Sequence, residues 1–244
     1  MDILIGEIYD NMKITAISDL HGNLIDIAPC DILLICGDIS PLEIQRDHIQ
    51  MTKWVFGEFY EWVMKLPCDA VVFTPGNHDF WFEKFLNQSK IYLFDKLTIL
   101  IDDSTYINID GEPVTIYGTP WIKPIGRKGS WAFEKDIQEL NEVYDKIPHD
   151  VDILITHDAP ALGYVGIEVS GRDVMDFSNN ALAEAIKNKK PKYAICGHVH
   201  EGNHKFEYIE TTTDDESIQT TSVANCSILD DSYSINYEPL TFEL

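Results

Sequence analysis

Short apolar runs recur along the chain at residues 14–17, 32–36, 70–73, 97–101, 114–117, 153–155 and 193–196. Runs of this length, apolar on both faces, predict strands of an interior sheet that is covered on both sides. Helical spacing appears between them. Met51, Val55, Phe59, Trp62 and Leu66 share one face and follow Ser40-Pro41-Leu42-Glu43, a capping-box pattern with proline at the first helical position. Phe133, Ile137, Leu140, Tyr144 and Ile147 form a second stripe, and Ala181, Leu182, Ala185 and Ile186 a third. Lys187, Lys189 and Lys190 then fall where a helix dipole favours cations. Asp110-Gly111, between the runs 105–109 and 114–117, predicts a hairpin. Beyond His204 the pattern alternates through 205–210, 222–228 and 232–237, which predicts antiparallel strands, with the acidic stretch 211–219 as a solvated loop.

Composition narrows the classes. The 244 residues are 45% hydrophobic and 24% charged, ordinary globular usage, and no linker-like stretch divides them, so residues 1–244 read as one α/β domain. Lys and Arg number 18 against 41 Asp and Glu, a formal net charge of −23, which argues against bulk nucleic-acid binding through phosphate contacts. An anionic substrate would need a local positive centre, which a bound metal ion supplies. The five cysteines lack Cys-x-x-Cys spacing, so neither a disulfide framework nor a zinc ribbon is indicated. Cys36 and Cys196 close apolar runs and read as core thiols. The first eleven residues are acidic, with no Lys or Arg, the wrong charge for a signal peptide, and no apolar stretch reaches membrane-spanning length. A cytoplasmic protein without membrane association is expected, its oligomeric state left open.

The chemistry stands where the strands end. Residues 14–18 lead into Asp19-Leu20-His21-Gly22, 32–36 into Gly37-Asp38, and 71–74 into Pro75-Gly76-Asn77-His78-Asp79. Residues 153–156 lead into His157-Asp158, and 193–196 into Gly197-His198-Val199-His200. Five of the eight histidines lie in these junctions. Ligands bind at the carboxyl ends of strands in open α/β sheets, so residues far apart in sequence can meet there. Each junction alone would read as a capped turn or an ordinary hydrogen-bonded histidine. Together they read as a shared metal site of carboxylate, amide and imidazole donors without thiolate. That is too many ligands for one tetrahedral zinc, and it suits two divalent ions sharing a carboxylate, a device fitted to phosphate ester hydrolysis.

These blocks, Asp-x-His, Gly-Asp, Gly-Asn-His-Asp, a strand-end His and Gly-His-x-His, resemble those of the calcineurin-like metallophosphoesterases, from about Met12 onward. Tyr117-Gly118-Thr119-Pro120-Trp121, Trp131-Ala132-Phe133 and Asn225-Cys226-Ser227 add a likeness to the small metallophosphoesterase-domain proteins related to the class III cyclic-nucleotide phosphodiesterases. The resemblance implies a four-layer α/β/β/α sandwich with two facing mixed β-sheets. It implies one ion held by Asp19, His21, Asp38 and His200, and a second by Asp38, Asn77, His157 and His198, with Asp38 bridging. Manganese, iron, cobalt, nickel and zinc all suit such donors. His78 would act on the leaving group, with Asp79 orienting its ring, while a hydroxide shared by the ions attacks phosphorus. The implied activity is hydrolysis of small phosphate esters, diesters ahead of monoesters.

Other readings of the same residues are a phosphomonoesterase, a nuclease, or a protein-binding module that has lost catalysis. The filled ligand positions argue against the module and the charge against the nuclease. No long insertion separates the blocks, so an open site without a cap is expected. Asp158 reads either as an outer-sphere partner of a metal ligand or as an outward loop residue. Arg127 and His204 read as substrate contacts or as solvated side chains, and Phe80, Trp81 and Phe82 as core packing.

Overall fold

The computed structural model describes residues 11–86, 90–109, 111–149, 151–170, 173–212 and 217–244. The acidic segment 1–10, Asp110 of the hairpin turn and residues 213–216 of the acidic loop lie outside them.

Strand β2 (Ile32–Ile35) shows why the predicted strands are apolar throughout. Its side chains alternate: Leu33 and Ile35 pack toward helices, whereas Ile32 and Leu34 pack toward a second sheet. The same alternation holds in β1 (Lys13–Ile17), where Ile17 faces the helices and Ile14 and Ala16 the other sheet. In β8 (Ile153–Thr156) Leu154 faces the helices, and Ile153 and Ile155 face inward. Three apolar layers therefore separate four layers of backbone, giving the α/β/β/α sandwich.

The first sheet has the order β14-β1-β2-β3-β5-β4. Strands β1, β2, β3 (Ala70–Phe73) and β5 (Leu97–Leu100) run parallel, and β4 (Lys90–Leu93) and β14 (Leu240–Glu243) pair antiparallel at the two edges. The second sheet has the order β12-β13-β11-β8-β7-β6. Its parallel centre is β7 (Glu112–Thr119), β8, β11 (Tyr193–Cys196) and β13 (Ile218–Asn225), with β6 (Asp103–Ile109) and β12 (Glu207–Thr212) antiparallel at the edges. The predicted 105–109 and 114–117 hairpin is β6–β7. A separate hairpin, β9 (Ile167–Ser170) and β10 (Asp173–Asp176), belongs to neither sheet.

Three expectations need correction. The first helix does not begin at Ser40: α1 (His48–Trp54) starts after Asp47, whose carboxylate accepts from the Ile49 and Gln50 amides. Ser40 is buried and its hydroxyl donates to Asp79 at 2.7 Å, so it is not free to cap. A π-helical turn over Val55–Phe59 then leads into α2 (Tyr60–Lys65), α3 (Phe80–Phe85) follows Asp79, and Met51, Val55 and Phe59 lie buried against the first sheet as the stripe predicts. In the second stripe Ile137 is exposed, because Asp136 and Glu139 form the capping box of α4 (Ile137–Tyr144) and place it on the solvent side. Val143 takes its place in the core. Finally, 232–237 is not a strand: the Asp230 carboxylate accepts from the Ser232 and Ser234 amides and rolls the segment into a turn. The third stripe forms α5 (Asn180–Lys189), capped by Asn179 and closed by Lys190 in the left-handed region. No helix among the described residues is long and apolar enough to cross a membrane.

Candidate metal centre

The parallel strands β1, β2 and β3 of one sheet, and β8 and β11 of the other, release their chains toward a common cleft. Beyond the strand ends the loops stay paired: the Asp19 amide donates to Gly37 O at 3.1 Å and the His21 amide to Asp38 O at 2.9 Å. Asp19, His21, Asp38 and His198 have φ of 57°, 42°, 55° and 70°, a left-handed backbone that non-glycine residues keep only where surrounding bonds fix it. Glycine is required beside them. A side chain at Gly76 would collide with the Asp38 carboxylate, and one at Gly37, with φ of 98°, would collide with the His157 ring.

Each carboxylate divides its labour. Asp38 Oδ1 accepts the His78 amide at 2.7 Å, while Oδ2 faces three imidazoles, His157 Nε2 at 3.3 Å and His21 and His78 Nε2 at 3.9 Å. Asp19 Oδ2 accepts the His198 amide at 3.0 Å, tying the two sheets together. Its Oδ1 is buried without a hydrogen-bond partner and faces His200 Nε2 at 3.6 Å. Asn77 Oδ1 lies 2.9 Å from His157 Nε2. The far nitrogens of two imidazoles are spoken for by carbonyls, His157 Nδ1 by Cys36 O at 2.8 Å and His200 Nδ1 by Asp230 O at 3.0 Å. This directs their Nε2 atoms at the cluster, as second-shell bonds do for metal-binding histidines. His21 Nδ1 is likewise buried and unpartnered. His198 packs its ring 5.0 Å from that of His157. Donor atoms of Asp19, His21 and His200, of His21, Asp38 and His78, and of Asp19, Asp38 and His157 each gather within 4.8 Å. Orphaned, buried oxygen and nitrogen donors in this number fit divalent cations.

In the metal-free protein, protons do the neutralising. Burial opposes charge on His157, but the Asp38 carboxylate outweighs it and holds the imidazole up at about 10. Burial likewise opposes the charge of Asp19, which holds His200 up at about 9. Despite burial, which favours their neutral forms, Asp19 is held well below the carboxylate range by His200 and His157, and Asp38 by His157 and His78. Burial leads in depressing His21 to about 4, and burial and His157 depress His198 to about 3. Burial also lowers His78.

The role read for Asp79 is not what the geometry shows. Its Oδ2 accepts from the Asp38 and Gly76 amides at 2.9 and 2.8 Å, and its Oδ1 from the Ser40 amide and hydroxyl at 3.1 and 2.7 Å. Asp79 therefore splices the second and third loops and leaves the His78 ring alone. Burial and the neighbouring Asp38 push its carboxyl up to about 7. The His78 ring is held by Gln45, whose Oε1 lies 2.8 Å from Nδ1. No strand-end signal marks Gln45, since it arrives from the irregular loop ahead of α1. Asp158 is buried and braces a neighbouring loop, accepting from the Lys123 amide at 3.0 Å and Asn179 Nδ2 at 2.8 Å. It is neither outward nor bonded to the His157 ring.

A cavity of about 260 Å³ opens over the cluster, its floor including Asp38, Asn77, His78, His198 and His200. Trp131, Tyr233, Glu168 and Phe177 contribute walls, and the β9–β10 hairpin supplies Glu168, a small overhang where an uncovered site was expected. The sequence signal for this hairpin is Ile167 and Val169 before Gly171 and Val174 and Met175 after it. Arg127 is exposed and does not line the cavity. His204 stacks on Tyr237 at 3.6 Å and meets the His200 carbonyl at 2.9 Å, supporting that loop. Trp81 and Phe82 are core residues, whereas Phe80 carries the Arg46 guanidinium 4.0 Å over its ring.

Comparison with known proteins points to a phosphoesterase family. A model of the calcineurin-like phosphoesterase family matches residues 12–202. A UPF0046 protein of Caenorhabditis elegans is 28% identical, over 96% of this chain and 60% of that protein. Human metallophosphoesterase domain-containing protein 1 is 25% identical, over 93% of this chain and 68% of its own length. The chain thus spans well under the full length of both. A solved crystal structure, 14% identical, superposes with a TM-score of 0.56 over 96% of this chain and 99% of that one, a likeness of fold.

Proposed function

From the premise that the chain belongs to the calcineurin-like phosphoesterase family, we propose that it is a dinuclear metal-dependent phosphoric ester hydrolase that favours small phosphodiesters. The observation that carries this reading is Asp38, with one oxygen fixed by a backbone amide and the other open to three imidazoles. Asp19, His21, Asp38 and His200 would hold one divalent ion, and Asp38, Asn77, His157 and His198 the other. Bound there, such ions supply an activated water and positive charge for the phosphoryl oxygens.

The chain's own residues do the rest. Asp38 and Asp19 hold the imidazoles together across the two sheets, and the Cys36 and Asp230 carbonyls fix the ring orientations. His78, with Nδ1 held by Gln45, presents Nε2 to the cavity, where a protonated ring would donate to the departing ester oxygen. A net charge of −23 favours a monoanionic diester over a dianionic monoester.

The test is to count metal and measure hydrolysis of bis-p-nitrophenyl phosphate and p-nitrophenyl phosphate after reconstitution with Mn²⁺. Two ions per chain and faster diester turnover are expected. Asp38→Ala should lose both ions, whereas His78→Ala should keep them and lose about a hundredfold or more in turnover. Equal loss of metal in both variants would make a non-ligand role for His78 untenable. Two ions with no turnover of either ester would overturn the hydrolase reading.

A further inference from the structure

The cavity over the cluster has more than a metal-binding floor. Ring contacts run in a chain across it: Trp131 lies 4.5 Å from His78, His78 lies 4.7 Å from His21, and Tyr233 lies 5.1 Å from His21 and from His200. Two aromatic side chains thus stand at opposite ends of the imidazole array. Neither belongs to the set that would hold the ions. Tyr233 is fixed there by the Asp230 turn, whose carbonyl also holds His200. The same walls carry two acidic side chains, Glu168, which is 8% exposed, and Asp231. Among the described residues, neither lysine nor arginine lines the cavity. At about 260 Å³ it sits just below the range of drug-sized sites, the size for a group of one or two rings.

We propose that this cavity is a subsite for the organic group of the ester, accepting a planar aromatic group that is neutral or cationic and rejecting one that bears a second anion. Trp131 and Tyr233 select the ring, and Glu168 and Asp231 select its charge. The proposal rests on the phosphoesterase reading and names the substrate class for that site. Offset or edge-on ring contacts reward an aromatic group over an alkyl one. An added carboxylate or phosphate would meet two acidic side chains, while the Arg46 guanidinium, 5.4 Å from the Trp131 ring, is already held over the Phe80 face and by the Ser130 carbonyl; an ammonium would find a counter-charge.

The probes are phosphinates, which carry one negative charge and no ester bond to cleave, each pairing a methyl group with one variable organic group, titrated by calorimetry into the Mn²⁺-loaded protein. Methyl(phenyl)phosphinate should bind about tenfold more tightly than dimethylphosphinate. The 4-aminomethyl derivative should bind at least about tenfold more tightly than the 4-carboxy derivative. Trp131→Ala and Tyr233→Ala should each bring the first ratio to within about threefold of unity, and Glu168→Gln with Asp231→Asn should do so for the second. Because every readout is a ratio within one protein, a general loss of affinity cancels. Glu168→Gln alone replaces the double variant if the latter fails to load metal. A wild-type aryl preference below about twofold, or a carboxylate bound as well as an ammonium, would overturn the proposal. The catalytic reading fails separately: selective binding without hydrolysis of bis-p-nitrophenyl phosphate leaves the subsite standing, and hydrolysis without selectivity removes only the subsite.

Discussion

Asp79 gives the sharpest test of how the centre is built. The side chain is fully buried and accepts four hydrogen bonds from three residues that bracket the cluster: the Asp38, Gly76 and Ser40 amides and the Ser40 hydroxyl. Replacing it with alanine leaves these donors without their partner, at about 1 kcal/mol each, or about 4 kcal/mol together. For a protein of this size that corresponds to a fall of about 8–16 °C in Tm. Ser40→Ala, which removes only the hydroxyl, should cost about 1 kcal/mol. Both are measured by thermal and urea unfolding of the metal-free protein, followed by circular dichroism. The sign of the pH dependence follows from the raised carboxyl. Its proton is bound more tightly in the folded state, so its contribution is complete below the ordinary value of 3.8 and is lost as pH rises through about 7. Asp79→Asn, which cannot ionise, should therefore gain on the wild type in stability between pH 4 and 7. If Asp79→Ala instead lost less than about 1 kcal/mol, while the metal-loaded protein lost turnover as severely as His78→Ala, Asp79 would be acting on the catalytic ring and not on the loops.

Three further outcomes are expected. His157 and His200, held up to about 10 and about 9, carry protons at pH 8, so loading the metal-free protein should release about two protons, counted with an indicator dye in weak buffer; release near zero would refute the assignment. The same two ion pairs stabilise the metal-free fold fully below pH 6.5 and should cease to do so as pH rises through 9 to 10. Gln45→Ala should lower kcat about tenfold with two ions retained, because the His78 ring loses its support. Gln45→Glu, which keeps an acceptor for Nδ1, should restore most of that loss, and failure of both to change kcat would show that the ring needs no such support.

The strands were legible because each is sealed on two faces, so 32–36 or 193–196 leaves an unbroken apolar run that stops at glycine and a polar side chain. Those stops are where the cluster forms, and Asp19, Asp38, Asn77, His157 and His200 meet there although the sequence holds them far apart. The loops were less legible because their partners are remote. Ser40 looks like a helix cap until Asp79 claims its hydroxyl, and 232–237 alternates like a strand until the Asp230 carboxylate gathers its amides. Gln45, Trp131, Tyr233 and Glu168 reach the cleft from segments that end no central strand, so the pattern that found the donors passes over them.

The pairing of β14 with β1 has a consequence for how the protein comes together in time. Ile14 opposes Phe242, so the edge that covers the strand leading to Asp19 is supplied from more than two hundred positions away. Closing so long a loop costs about 5 kcal/mol of chain entropy before the four pairs of that ladder give anything back. The helices can form locally and early, but the strand that positions Asp19 and His21 is completed only when the distant segment returns. Refolding should then run at the pace of long-range closure, slowly for a chain of this length.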